Sequence, residues 1–323
     1  MPDSLEPRLL RAFLAVAEEL HFTRAAARLY VAQQALSRDV RRLERELGVE
    51  LFVRSTRQVA LTADGERLVP YARRVLGAQE ELLAAFRGAG ARPLLVDLNT
   101  PGLGTGRRVL QRARELVPEQ ELMVRYESGL GGAAGELIAG RLDVSFGRFG
   151  GLEAGVRAGL RHQLVRYEPM AVVLPEGHRL AALDEVPLAA LAGEVVYAGA
   201  GNPRTPEWTD LARRLFEGRG ISVAPPAPMA VGEEEFERVM ARTGTPILAV
   251  VDFPATPRTV VRPLVDPVPL SAVSLVWRKG LVHTGFDALR RAAAEIGNAC
   301  GWLRRPVNGW IPAIDVDMLK RRN

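Results

Sequence analysis

Gln34, Ser37, Arg38, Arg41 and Arg45 recur at three- and four-residue steps, so a helix would line them along one face. That face offers amide, hydroxyl and guanidinium donors, with no carboxylate among those positions. Groups of this kind bond base edges and phosphates in a duplex major groove. The opposite face of the same stretch carries Leu36, Val40, Leu43 and Leu47, an apolar stripe that must be buried. On periodicity alone an ordinary solvated helix face is the simpler reading, so the neighbouring elements have to decide.

Those neighbours form an ordered series. Leu10, Phe13, Leu14, Ala17 and Leu20 mark the buried stripe of a first helix. After His21-Phe22, Thr23 is expected to N-cap a second, short helix ending near Leu29. A break at Tyr30-Val31-Ala32 leads into the polar-faced helix, Gln33 to Leu47, which should stop at Gly48. A short helix, a tight turn and a donor-faced helix make helix-turn-helix geometry, which favours the groove-reading face over the solvated one. Val49–Arg54 and Val59–Thr62 then flank the polar tip Ser55-Thr56-Arg57-Gln58, the pattern of a β-hairpin. With Arg54 and Arg57 near its tip, the hairpin suits a wing that touches backbone or a narrow minor groove. Thr62 should cap a helix of about 25 residues, roughly 37 Å long. Its stripe of Leu68, Ala72, Val75, Gln79, Leu82 and Phe86 has too few partners in so small a domain, so a homodimer contact is expected.

From Gly88 to Pro93 the texture changes, and a domain boundary is expected there. The segments around Leu94–Leu98, Leu122–Tyr126 and Leu142–Phe146 read as strands separated by helices, a βαβαβ series with a parallel sheet. Ligands in such sheets sit at the carboxyl ends of the strands, which points to Asn99, Thr100, Ser128, Gly129, Arg148 and Phe149. Arg148 makes an organic acid one class of ligand to consider. A second lobe should span about residues 164–264, where the loop containing Asn202 and Pro203 could close over a ligand. The chain is expected to return to the first lobe around Ser271–Trp277, which gives two crossing strands and a hinge.

Length and composition limit the rivals. The chain has 323 residues, 47% hydrophobic, with net charge +5, the balance of a multidomain globular protein. The one cysteine, Cys300, excludes an internal disulfide. The histidines are scattered, so neither a metal nor a cofactor is expected. Gly129-x-Gly131-x-x-Ala134 mimics a dinucleotide fingerprint but lacks the acidic residue about twenty positions on. No apolar run reaches the ~20 residues that span a bilayer, and the charged start leaves no signal-peptide core, so a cytoplasmic, membrane-free protein is expected. The alternative is an α/β solute-binding or enzymatic domain fused to a dimerising helical module. No acid–base constellation in the strand-end loops supports its enzymatic form.

The N-terminal stretch resembles the LysR-type transcriptional regulators. The resemblance rests on Leu9–Glu19, Phe22–Ala26, Val31–Arg38, Leu43–Gly48, Leu51–Arg54 and Leu61–Gly65, covering about residues 5–85. It implies that Gln33, Ala35, Ser37 and Arg38 face an operator and that Arg54 or Arg57 serves in a wing. Gln34 stands where many members carry proline. The fold implied is α+β and multidomain: a winged helix-turn-helix (1–65), a linker and dimerisation helix (66–91), and an α/β two-lobed domain similar to periplasmic binding proteins (92–300). Residues 301–323 lie beyond the family domain and read as a packing extension with a disordered basic end. The implied partners are a double-stranded DNA operator, a small-molecule effector in the interlobe cleft and further copies of the chain, as a homodimer or homotetramer. No catalytic residue is implied.

Overall fold

The computed structural model describes residues 5–54, 59–86, 92–99, 102–127, 129–226, 244–254 and 257–320. They fall into two compact units, Met1–Ala91 and Arg92–Asn323.

In the first unit, α1 (Pro7–Glu19), α2 (Phe22–Arg28) and α3 (Gln33–Leu47) close around Phe13, Leu36, Val40 and Leu43, with Leu51 and Phe52 completing the core. None of these helices could bury its stripe alone, so packing rather than propensity stabilises them. The cap of α2 differs from the expected one. His21 Nδ1 accepts the backbone N–H groups of Thr23 and Arg24 at 3.2 and 3.4 Å, and Thr23 lies inside the helix. The extended backbone of His21 (φ −157°) brings its ring over the first-turn amides, a reach that side-chain lists of common caps do not anticipate. Gly48 ends α3 in the left-handed region, φ 71°.

The wing strands β1 (Phe52–Arg54) and β2 (Val59–Leu61) pair antiparallel, Phe52 opposite Leu61. Thr62 Oγ1 accepts the Gly65 N–H at 3.0 Å and starts α4 (Ala63–Phe86). Gly65 packs so tightly that a Cβ there would overlap the Leu51 carbonyl oxygen and approach Leu61 Cδ2 to 2.8 Å. Gly65→Ala should therefore destabilise the first unit by about 1–3 kcal/mol, since backbone cannot yield as a side chain does. A lowered urea midpoint for the α1–α4 transition checks this; an unchanged midpoint would show that the wing shifts freely.

In the second unit, β3 (Leu94–Asp97), α5 (Gly104–Leu116), β4 (Leu122–Arg125), α6 (Leu130–Ile138) and β5 (Val144–Arg148) form the βαβαβ series, with sheet order β4-β3-β5 and parallel pairing. After α7 (Ala154–Ala158) comes β6 (Leu160–Pro175). Then follow β7 (Val186–Pro187), β8 (Val195–Val196), α8 (Pro206–Phe216), β9 (Ser222–Val223), β10 (Ile247–Val250), β11 (Thr259–Val265) and β12 (Val268–Arg278). The chain ends with α9 (Thr284–Ala299), β13 (Gly309–Trp310) and α10 (Ala313–Lys320).

β6 divides its edges between two lobes. Its first half pairs antiparallel with β12, and its second half with β10 and β11. One core gathers Leu94, Val96, Phe146, Leu275 and Leu289; the other gathers Val172, Leu174, Leu211 and Leu248. β6 thus runs through both lobes, and the chain returns from β11, paired with the second half of β6, to β12, paired with its first half. The terminal segment is more than padding: Trp302 is buried in the first core, β13 pairs with β12, and Trp310 packs on the second core.

Candidate nucleic-acid interface and ligand cavity

The two faces of α3 separate cleanly. Leu36, Val40 and Leu43 are buried, while Gln33, Gln34, Arg38, Arg41 and Arg45 are exposed, with Ala35 and Ser37 half-buried between them. Among the described residues no carboxylate pairs with Arg38, Arg41 or Arg45. Arg42, on the flank, is instead held by Glu46 and Glu6 at 2.7 and 2.6 Å, and Arg8 by Asp39 at 3.1 Å. Intramolecular pairing thus consumes the flanking cations and leaves the central ones available. Arg8, Arg38, Arg41 and Arg45 line an open groove of about 1020 Å³. Thr23 is exposed on α2, Arg54 is the last residue of β1, and Arg57 lies outside the described residues.

On α4, Ala72 and Leu76 are buried, but Tyr71, Val75 and Leu82 stay 53%, 48% and 59% exposed. The sequence stripe mixed these two faces, because a helix this long drifts in phase and Val75 and Leu82 share spacing with both.

Between the lobes of the second unit lies a cavity of about 260 Å³. Its walls are chiefly apolar, with Phe146, Trp208, Leu248 and Phe253 among them. Asn99, Gly129 and Arg148 from the sequence reading line it. Asn99 holds a positive φ of 62° and donates Nδ2–H to the Phe146 carbonyl at 2.7 Å. Its Oδ1 is buried without a partner among the described residues. Arg148 donates through Nε to Asp315 and through Nη1 to Asp210, both at 2.7 Å, and through Nη1 to the Glu207 carbonyl at 3.1 Å. Its Nη2 is buried and unpaired among the described residues.

Three further predicted positions stand elsewhere. Phe149 belongs to the core and stacks on His162 at a centroid distance of 4.1 Å, because the chain turns into a 3-10 segment directly after β5. Asn202 Oδ1 accepts the Arg204 N–H at 2.9 Å and shapes its own turn, while Pro203 is exposed; neither lines the cavity. Thr100 and Ser128 lie outside the described residues.

Carboxylates that the sequence did not single out dominate the site's electrostatics. Glu207, on α8, accepts the Leu130 and Gly131 N–H groups at 3.0 and 3.2 Å, so it fills the anion-attracting start of α6. Glu168 accepts Thr105 Oγ1–H at 2.7 Å and lies 3.4 Å from Arg166. Burial pushes Glu207, Glu168 and Asp315 above the ordinary carboxylate range; backbone N–H bonds oppose the rise at Glu207, the Thr105 hydroxyl at Glu168 and Arg148 at Asp315. For Asp210 burial also works upward, but bonds from Arg214 and Arg148 outweigh it and hold the group below that range. Glu207 had one legible signal, an acid directly after the helix-starting Pro206. Such an acid ordinarily serves its own helix, so nothing in the spacing showed that it serves another.

A winged helix-turn-helix in one unit and a two-lobed α/β unit with an interlobe cavity define a ligand-responsive transcription regulator. Two family models agree: one described as "Bacterial regulatory helix-turn-helix protein, lysR family" over residues 7–66, the other as "LysR substrate binding domain" over residues 99–296. The regulator XapR of Escherichia coli K12 is 33% identical over 270 residues, 81% of this chain and 88% of that protein. The regulator ShiR of Corynebacterium glutamicum is 35% identical over 192 residues, 58% and 64% respectively. Full-length OxyR from Pseudomonas aeruginosa superposes with a TM-score of 0.64 at 23% identity, covering 92% of this chain and 96% of that one. CbnR on its target DNA gives 0.61 at 22%, covering 90% and 99%. The chain belongs to the LysR family of transcriptional regulators, with a DNA-binding helix-turn-helix part and an effector-binding domain. Among the described residues no helix is long and apolar enough to cross a membrane, and no group of metal-ligating side chains gathers.

Proposed function

We propose that α3 enters the major groove of an operator with Gln33, Gln34, Ser37 and Arg38 toward base edges and Arg41 toward phosphate. Ala35 and Thr23 lie at the duplex surface, and Arg54 and Arg57 of the wing contact the flanking backbone. The observation that carries this reading is the row of exposed arginines, paired with no carboxylate among the described residues, on the face opposite the buried Leu36, Val40 and Leu43. A regulator of the same fold solved on its target DNA supports it. The chain works as a regulator rather than a catalyst, in the cytoplasm, where DNA and metabolites meet. Footprinting on its own upstream intergenic region tests the reading: protection should spread over two half-sites and weaken steeply with salt, as counterions are released. A flat plot of log affinity against log salt would sink it.

Two half-sites need two heads, and the exposed Tyr71, Val75 and Leu82 of α4 are the surface proposed to join them. Leu82→Glu should shift the protein from dimer or tetramer toward monomer in analytical ultracentrifugation, because a charge at the contact is desolvated without a partner. An unchanged sedimentation profile would remove α4 from the interface.

The interlobe cavity is proposed as the effector site, with Asn99, Gly129 and Arg148 in contact with the effector. Occupancy shifts lobe closure and so couples reciprocally to operator affinity.

A further inference from the structure

The sequence makes an organic acid a natural candidate for this cavity, and the structure argues for a different class. The charged side chains lining it are Arg148, Glu168 and Glu207, a formal sum of −1. Arg148 is already matched by Asp315 and Asp210 at 2.7 Å each. The amides at the start of α6, the other natural anion cradle, are taken by Glu207. An incoming carboxylate would therefore meet no uncompensated positive charge and would lose its hydration for nothing. A cation fares no better, since Glu168 and Glu207 already accept bonds from Thr105, Leu130 and Gly131.

What remains unsatisfied is one acceptor and one donor. Among the described residues Asn99 Oδ1 and Arg148 Nη2 are both buried without a partner, and both residues line the cavity. Buried polar atoms in native proteins are almost always paired, so two orphaned atoms on side chains that line one cavity point to a ligand's polar atoms. The remaining walls include Phe146, Trp208 and Phe253, which suit a planar ring. At about 260 Å³ the space falls just below the roughly 300–1,000 Å³ typical of drug-sized ligands.

Building on the proposed effector role of the cavity, we infer that its ligand is a small uncharged ring compound with an amide-type edge, whose N–H or O–H donates to Asn99 Oδ1 and whose carbonyl accepts from Arg148 Nη2. Asp315, from the segment beyond the family domain, takes part in this selectivity, because it supplies half of the charge that neutralises Arg148.

Three nearly isosteric probes separate the classes: benzamide, benzoate and benzamidine, titrated into the full-length protein by calorimetry. Benzamide should bind at least roughly tenfold more tightly than either charged analogue, the discrimination expected when a charge is desolvated without compensation. Asn99→Gly keeps the positive φ accessible while removing Oδ1, and should weaken benzamide about tenfold. Asp210→Asn keeps the side-chain shape of a partly exposed residue but removes one of the two carboxylates that face Arg148, so it should narrow the gap between benzoate and benzamide. Tighter binding of benzoate or benzamidine than of benzamide overturns the inference and leaves the effector role of the cavity standing, as does an unchanged benzamide affinity in Asn99→Gly. Binding of none of the three overturns the inference together with the choice of this cavity. Effector control itself is then judged separately, by whether a metabolite extract alters the operator footprint.

Discussion

Arg148→Ala is expected to lower the stability of the second unit by about 3–5 kcal/mol, the usual cost of removing one partner from a buried ion pair. At 2–4 °C per kcal/mol for a unit of this size, the melting temperature should fall by roughly 6–20 °C. The side chains of Arg148 and Asp315 are each only 2% exposed, so the Asp315 carboxylate would be left without its cation in a dry site. It has two ways to relieve that penalty: it can take up a proton, or α10 can leave its dock. The second route caps the thermodynamic loss at the docking energy of the terminal segment and carries its own signature. Limited proteolysis of Arg148→Ala should then cut between residues 301 and 320 under conditions where the wild type resists. Arg148→Met combined with Asp315→Leu should regain most of the stability, because replacing both partners by apolar groups of similar size avoids stranding either charge. A single variant as stable as the wild type would show that Asp315 is not charged in the folded chain.

The same ion pair shows where sequence legibility stops. The helix bounds Gln33–Leu47, the stop at Gly48, the wing pairing and the βαβαβ order were all readable, because each follows from local spacing and from residues with special backbone preferences. Asn99 and Arg148 were reachable through a topological rule, since strand ends in a parallel sheet face the cleft. Glu207 and Asp315 were not. Glu207 lies 76 and 77 residues from the amides it caps, and Asp315 lies 167 residues from Arg148. No periodicity connects such positions, so their meeting is decided by how the lobes and the terminal segment dock. The positions of Phe149 and Asn202, away from the cavity lining, have the same root on a smaller scale. A strand end points to a neighbourhood, while a 3-10 turn or an Asn turn decides which neighbours face inward. On α3 the reverse holds: burial of Leu36, Val40 and Leu43 by α1 leaves only one orientation for the polar side chains, so amphipathic spacing alone was sufficient.

Arg38→Ala together with Arg41→Ala is expected to reduce operator affinity by about 100-fold or more near physiological salt, while leaving the fold unchanged. Both side chains are exposed, and neither has a carboxylate partner among the described residues, so removing them breaks no intramolecular pair. Surface substitutions of this kind usually change stability by no more than about 0.5 kcal/mol. The loss must then appear in binding, and the two variants taken singly should lose it differently. If Arg38 reads a base edge, its removal costs roughly 1–3 kcal/mol and relaxes preference at one operator position. If Arg41 holds phosphate, its removal weakens binding evenly across sequences and lowers the salt slope by about 1. Gel-shift titrations on the footprinted site and on a scrambled duplex, each at several salt concentrations, separate the two effects. Equal losses on both duplexes for Arg38→Ala would mean that this arginine positions the helix rather than reads the sequence, and base discrimination would then pass to Gln34 and Ser37. An unchanged affinity in the double variant, with the protein folded and dimeric, would move the DNA-reading surface off α3 altogether.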